Sequence, residues 1–169
     1  PRIWRPRSGV FWMTAAADRR NLRVDGLMRA SIGPYRIDRK LGEGGMGVVY
    51  AAHDPRLDRD VALKMLRASP EDVQARERLR REARVAASIN HPHICQVYDI
   101  GEEGGELFVA MELLDGESLQ ARLQRGPIPM PEMMPIVLAV LEALDALHER
   151  GVVHRDLKPS NIFVTHIGV

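Results

Sequence analysis

Hydrophobic and polar residues first fall into register at Tyr35, where Tyr35, Ile37, Arg39 and Leu41 alternate with Arg36, Asp38 and Lys40. A period of two predicts a strand, and folded structure is expected to begin there. A second strand is predicted at about Val48 to His53 and a third at Val61 to Leu66, whose two faces carry Ala62, Lys64, Leu66 and Val61, Leu63, Met65. Residues 71–90 contain neither Pro nor Gly, and Leu79, Glu82, Ala83 and Ala86 recur at helical spacing, which predicts a helix with Glu82 on its apolar face. Further strands are expected around Ile94 to Tyr98 and Glu106 to Glu112. A short helix over Ser118 to Gln124 and a longer one over Met134 to Glu149 complete the pattern. The long helix is expected to start at or just before Pro135, because a proline beyond the first turn removes a backbone hydrogen bond, and to end at Gly151. Ile136, Val137, Leu138, Val140, Leu141, Leu144 and Leu147 leave it almost no polar face, so it is expected to be buried.

The chain has 169 residues, 45% hydrophobic and 28% charged, which suits one ordinary globular domain or part of a larger one. Its charge is uneven. Residues 1–33 carry seven Arg against two Asp, a net +5 that leaves −4 for the rest of a chain totalling +1. Residues 1–34 read as a basic, disordered extension, since a short Arg-rich arm is ordinarily just solvated. No nucleic-acid partner is expected on that ground. Val10-Phe11-Trp12-Met13 is too short for the apolar core of a signal peptide, and Ser is too scarce for a transit peptide. No apolar run approaches the ~18 residues a spanning helix needs, so a cytoplasmic location is expected, with a span beyond Val169 left open. The single cysteine, Cys95, lies among strand-forming residues and reads as a small buried hydrophobe.

Candidate chemistry sits in three stretches. In the first, Gly42, Gly44 and Gly47 remove Cβ atoms from the turn between two strands, so that backbone N–H groups can approach phosphate oxygens. A strand follows these glycines where a dinucleotide fold requires a helix, which disfavours that alternative. In the second, Lys64 is the only charge in its strand; it reads either as an edge lysine that discourages aggregation or as a phosphate ligand. The third is His154-Arg155-Asp156-Leu157-Lys158-Pro159-Ser160-Asn161, which places an acid, a base and an amide within eight residues after an apolar run. Glu82 has two readings as well: a solvent ion pair with Arg78 or Arg81, or a carboxylate in the apolar stripe that needs a partner from elsewhere in the fold.

Read together, Leu41-Gly42-Glu43-Gly44-Gly45-Met46-Gly47-Val48-Val49-Tyr50, Val61-Ala62-Leu63-Lys64 and the His154–Asn161 stretch resemble the signature set of the protein kinases, over about Tyr35 to Gly168. The Asp-Leu-Lys-Pro-Ser-Asn form resembles the serine/threonine kinases, in the style of those widespread in bacteria. The resemblance implies an α+β, protein-kinase-like fold: an antiparallel β-sheet N-lobe with one main helix at about 35–112, a hinge at about 112–116, and the start of a mainly helical C-lobe over 117–169. It implies ATP and Mg²⁺ as cofactors and a protein Ser/Thr hydroxyl as substrate. Leu41, Gly42, Gly44, Gly47, Val49 and Ala62 would surround the nucleotide, with Lys64 on its α/β-phosphates and Glu82 paired to Lys64. Met111 would be the gatekeeper, or plain strand core, and the backbone around Glu112 and Leu114 would meet the adenine edge. Asp156 would orient the substrate hydroxyl and accept its proton, Lys158 would steady the transferring phosphoryl group, and Asn161 would hold Mg²⁺. His154 would be structural, and Arg155 points to control by a phosphorylated activation segment.

The sequence departs from the family after Ile162-Phe163-Val164-Thr165-His166-Ile167-Gly168-Val169, where no Asp-Phe-Gly follows. The second Mg²⁺ ligand is therefore missing from the chain, which is expected to be a fragment of a longer reading frame with no appreciable activity of its own. A non-catalytic, pseudokinase-like ATP-binding or scaffolding module is the alternative. A small-molecule phosphotransferase is disfavoured by the complete Gly-rich loop.

Overall fold

The computed structural model describes residues 8–10, 31–44, 47–66, 73–154 and 156–165. They fall into two compact units, the described residues of one lying within 17–88 and 96–113 and those of the other within 1–16, 89–95 and 114–169.

The first unit is built on a six-stranded antiparallel sheet of β2 (Ser31–Ile32), β3 (Tyr35–Gly44), β4 (Gly47–Asp54), β5 (Arg59–Leu66), β6 (Val97–Glu103) and β7 (Glu106–Glu112), in the order β2-β3-β4-β5-β7-β6. The alternation along β3 and β5 was legible. The sheet nevertheless starts earlier than the sequence predicts, because Ser31 and Ile32 pair with Arg36 and Tyr35 across a turn in which Gly33 takes a positive φ. Ile32, Tyr35, Ala52, Val61, Leu63, Phe108 and Ala110 form the core on one face, with Ile37, Tyr50, Met65 and Tyr98 packed at its edge. The Tyr35 hydroxyl is buried and cannot go unbonded. It donates to Asp99 Oδ2 at 2.9 Å and accepts from the Arg56 guanidinium at 3.0 Å. Arg56 in turn holds the buried Asp54 through its Nε at 3.0 Å and its backbone N–H at 3.1 Å, which closes the β4–β5 turn.

Helix α1 (Val73–Ala87) packs against β6, the edge strand of this sheet. Leu79, Ala83 and Ala86 turn inward as predicted, whereas Glu82 does not. Arg76 and Ala83 are buried, Leu79, Arg80 and Ala86 are half-buried, and Glu82 is exposed. The reason is the side chain the periodicity passed over: Arg76 is 8% exposed, donates to the Gly105 carbonyl at 2.7 Å and pairs with Glu102 at 2.8 Å. The next strand begins at Val97 instead of Ile94, although Ile94 and Cys95 are buried as the sequence suggested.

In the second unit, β1 (Ser8–Val10), β8 (Gly116–Ser118) and β9 (Ile162–Thr165) make a small antiparallel sheet in the order β1-β9-β8. So Ser8–Val10 is a strand within a stretch read as disordered, while the rest of residues 1–30 lies outside the described residues. Helix α2 (Leu119–Gln124) starts at Ser118, whose hydroxyl accepts the Ala121 N–H at 3.1 Å, satisfying a donor that the first turn leaves open. Helix α3 (Met130–His148) starts five residues ahead of Pro135 and contains it. Pro131 in the first turn is helix-compatible and sets the start; the cost of Pro135 is one missing bond to the carbonyl four residues back. Gly151 closes the helix as predicted, at φ +69, with its N–H on the His148 carbonyl and that of Val152 on the Leu147 carbonyl. Only one side of α3 is buried among the described residues: Ile136, Ala139, Val140, Ala143 and Leu147 are inside, while Met134, Val137, Leu138 and Leu141 are exposed.

Candidate active site

The β4–β5–β7 register sets out the first group of candidate residues. Val49, Lys64 and Val109 lie side by side across the three strands, and Ala51, Ala62 and Met111 form the row two residues along. Side chains two residues apart on a strand share a face, so Val49, Ala62, Lys64 and Met111 share one, opposite the Val61–Leu63 core. Lys64 is 2% exposed there, an unusual depth for an ammonium. Leu41 is buried too, at a bulge between the Lys40–Tyr50 and Gly42–Val49 pairs.

The Gly-rich turn is a tight β3–β4 hairpin in which Gly44 pairs with Gly47, and Gly45 and Met46 lie outside the described residues. Gly47 sits at φ +132, and a Cβ there would fall 1.8 Å from the Met65 carbonyl oxygen. Only glycine lets the hairpin lie this close to β5. At the end of β7, the Glu112 N–H donates to the Gln96 carbonyl at 2.9 Å, and Leu114 follows half-buried.

Glu82 is not brought to Lys64. It projects from the exposed side of α1, and no ion pair joins the two residues. The pairing implied by the family resemblance is absent from this arrangement because Arg76 and Arg80, tied to Glu102 at 2.8 and 2.5 Å, set which side of α1 faces the sheet.

In the second unit the acid, lysine and amide are assembled by a single turn. Asp156 N–H donates to the His154 carbonyl at 2.7 Å, Pro159–Asn161 forms a 3-10 turn, and the Asn161 N–H closes on the Lys158 carbonyl at 2.9 Å. Lys158 Nζ lies 2.9 and 2.8 Å from the two Asp156 carboxylate oxygens. The buried Asn161 donates from Nδ2 to the Asp156 carbonyl at 2.7 Å and to Oδ2 at 2.9 Å. The Lys158 ammonium, and after it the Asn161 amide, hold the Asp156 carboxyl below the usual carboxylate range, so it is ionised at neutral pH. His154 is buried, and burial lowers its imidazole below the ordinary value, consistent with a neutral, structural ring. Arg155 lies outside the described residues.

These donors fit a nucleotide and a cation in part. Asn161 turns its amide nitrogen toward Asp156; its amide oxygen, which accepts from the Ser160 hydroxyl at 3.4 Å, is its ligand atom for a hard cation, and Asp156 offers carboxylate oxygens of the kind Mg²⁺ takes. Among the described residues no group of three or more His, Cys, Asp or Glu side chains could hold a metal alone, so the arrangement suits an ion that arrives with phosphates. A buried lysine on the face shared with Val49, Ala62 and Met111 suits a phosphate beside an apolar ring.

A sequence model described as the protein kinase domain matches residues 35–169. The serine/threonine-protein kinase PknH of Mycobacterium bovis is 41% identical over 143 residues, which is 83% of this chain and 24% of that protein. PknD of Mycobacterium tuberculosis is 46% identical over 138 residues, covering 80% of this chain and 21% of that protein. PknF of the same organism is 48% identical over 137 residues, covering 78% and 29%. The chain therefore spans about a quarter of the length of these curated relatives. Among solved structures, the M. tuberculosis PknI kinase domain superposes with a TM-score of 0.73 at 39% identity, covering 82% of this chain and 58% of that one. The two-unit architecture and these matches agree, and the chain belongs to the protein kinase domain family.

Proposed function

We propose that the protein containing this chain transfers the γ-phosphoryl group of ATP to serine or threonine hydroxyls of proteins, itself included. The observation that carries this reading is the Asp156 carboxylate, held ionised and oriented by Lys158 and Asn161 on one rigid turn. Phosphoryl transfer asks for positioning and charge neutralisation more than for covalent chemistry, and these are the groups that provide it. Asp156 accepts the hydroxyl proton as the acceptor oxygen is engaged. Lys158 neutralises charge on the transferred group. Asn161 would hold Mg²⁺ through its amide oxygen, and the ion would supply charge neutralisation to the phosphates. Lys64 binds the α/β-phosphates, and Leu41, Val49, Ala62 and Met111 pack on the adenine, whose edge meets the backbone at Glu112 and Leu114. The glycines at 42, 44 and 47 let the hairpin lie over the phosphates.

We place the N-lobe at about 35–112, the hinge at about 112–116 and the start of the C-lobe at 117, with 1–34 as an extension. The 169 residues by themselves contain no Asp-Phe-Gly and so lack the acidic Mg²⁺ ligand that the family resemblance implies there; alone they are expected to transfer no phosphate. The names of the relatives, all serine/threonine-protein kinases, support this reading over an ATP-binding scaffold. The test is incubation of the longer protein with γ-labelled ATP and Mg²⁺, followed by phosphoamino-acid analysis. Phosphoserine or phosphothreonine that disappears in Lys64→Met is expected. Nucleotide binding without any transfer by the longer protein would instead establish the scaffold.

A further inference from the structure

We propose that Ser8–Val10 is a strap: a strand from the N-terminal arm that docks on the edge of β9 and holds Asn161 in place, so that the arm controls how the turn from Asp156 to Asn161 takes a Mg²⁺-bound nucleotide. The inference rests on the nucleotide-site reading of that turn and goes beyond it by giving the arm a docking edge and a task.

Strand β9 is the middle strand of its sheet, and all four of its residues are buried. On one edge, β8 pairs Gly116 with Thr165, Glu117 with Val164 and Ser118 with Phe163, and goes no further. On the other edge, Ser8 pairs with Val164, Gly9 with Phe163 and Val10 with Ile162. Ile162, directly after Asn161, therefore has a strand partner in β1 and none in β8 among the described residues. Its N–H closes the 3-10 turn on the Pro159 carbonyl, so whatever fixes Ile162 also fixes that turn. Asn161 then donates from Nδ2 to the Asp156 carbonyl at 2.7 Å and to Oδ2 at 2.9 Å. The path from the arm to the carboxylate is thus Val10, Ile162, Asn161 and Asp156.

The outer edge of β9 suits an extended segment. A buried strand with one edge open presents unpaired N–H and C=O groups, and a further strand satisfies them. Gly9 stands opposite Phe163, a pairing in which the ring makes up for a missing side chain. Helix α3 packs against β1, so the docked segment is held by a helix as well as by a strand. Three residues is the short end of strand length, and so short an edge strand opens readily, which lets the arm leave and return.

Backbone N–H groups of successive residues point to opposite edges of a strand, so Ser8→Pro with Gly9→Pro removes a donor facing β9 whichever phase the ladder has. Amide hydrogen exchange compares the full chain of 169 residues as wild type, as this double variant, and as the control Ala15→Pro with Ala16→Pro outside β1. In the double variant the 162–165 amides should exchange about five- to thirtyfold faster, for one or two ladder bonds lost, with β3 to β5 unchanged. The control should match the wild type. A peptide of residues 5–13, added to the double variant at about 1 mM, the order of a tethered segment's effective concentration, should restore protection. The same peptide with both prolines should not. In the longer protein, the Mg²⁺ concentration that half-saturates ATP binding should rise about two- to tenfold in the double variant, at or below what loss of an outer-shell partner brings. Wild-type exchange at 162–165 in the double variant, or acceleration spread equally over β3 to β5, would overturn the strap. Faster exchange at 162–165 with wild-type Mg²⁺ dependence would overturn its hold on Asn161. Faster exchange there in a protein whose wild type binds no nucleotide would instead keep the strand on β9 and remove the nucleotide reading of the turn.

Discussion

Replacing Tyr35 with Phe separates the packing of the first unit from its buried polar network. The ring stacks edge-on against Phe108 at 5.8 Å between centroids, a contact that Phe preserves. What is lost is the hydroxyl, which donates to Asp99 and accepts from Arg56. Both partners reach water, with side chains 41% and 53% exposed, so neither is stranded when the hydroxyl goes. The cost at neutral pH therefore sits low in the range for a buried polar group, about 1–2 kcal/mol. For a chain of 169 residues that is a fall in Tm of about 2–8 °C.

The same hydroxyl makes the difference depend on pH. Burial, and after it the hydrogen bond to Asp99, push the Tyr35 phenol from its ordinary 10.0 up to about 12. The folded state thus favours the neutral form. Its contribution is fully present below pH 10 and is lost as pH rises from 10 toward 12, at most about 2.7 kcal/mol for two pH units. Tyr35→Phe has no such proton to lose, so the urea-unfolding free energies of the two proteins should converge across that window. Ultraviolet difference titration should find one phenol ionising near pH 12 in the wild type and none there in the variant. A stability gap constant from pH 8 to 12, or a titration that Tyr35→Phe leaves unchanged, would refute the reasoning.

Gly47→Ala should cost about 3 kcal/mol or more by chemical denaturation, since a Cβ 1.8 Å from the Met65 oxygen forces β4 and β5 apart and adds the strain of positive φ. A loss below ~1 kcal/mol would show that the hairpin can move aside. Pro135→Ala should stabilise α3 by about 1–3 kcal/mol through the restored helix bond, read as a higher Tm; a lower Tm would mean the proline ring supplies packing that the missing bond conceals. As pH falls through the depressed folded pKa of Asp54, the stabilisation that Arg56 gives the ionised carboxylate should be lost. Asp54→Asn should therefore flatten the acid limb of the stability profile, and an unaltered limb would count against the Asp54–Arg56 clamp.

The sequence was most legible where structure is set locally. The period of two in β3 and β5, the short helix that follows Ser118 and the glycine stop at Gly151 each depend on residues within one turn or one strand. The Asp156–Lys158–Asn161 assembly was legible for the same reason, since its bonds span at most five residues. On α1 the spacing put Leu79, Ala83 and Ala86 on the inner side, where they lie, but misplaced Glu82 and left out Arg76, whose partners Glu102 and the Gly105 carbonyl are close only in the fold. A signal was available, since Arg76, Leu79 or Arg80, and Ala83 share helical spacing. The Tyr35–Asp99 bond joins residues 64 apart and left no local trace. Strand β1 was missed because its pairing with β9 joins Ser8 to Val164, and the early start of α3 because one proline's missing bond is outweighed by the apolar face beyond it.

The central claim is that Lys64 binds nucleotide while Asp156 acts on the hydroxyl, and the measurement that tests it most directly compares Asp156→Asn with the wild type in the longer protein under saturating MgATP. The amide keeps size and hydrogen-bonding shape but cannot take the proton. The account predicts a loss in kcat of about 100-fold or more with the Kd for MgATP within about twofold of wild type. Lys64→Met, measured alongside, should instead weaken MgATP binding as well as transfer. Wild-type kcat in Asp156→Asn would contradict the account.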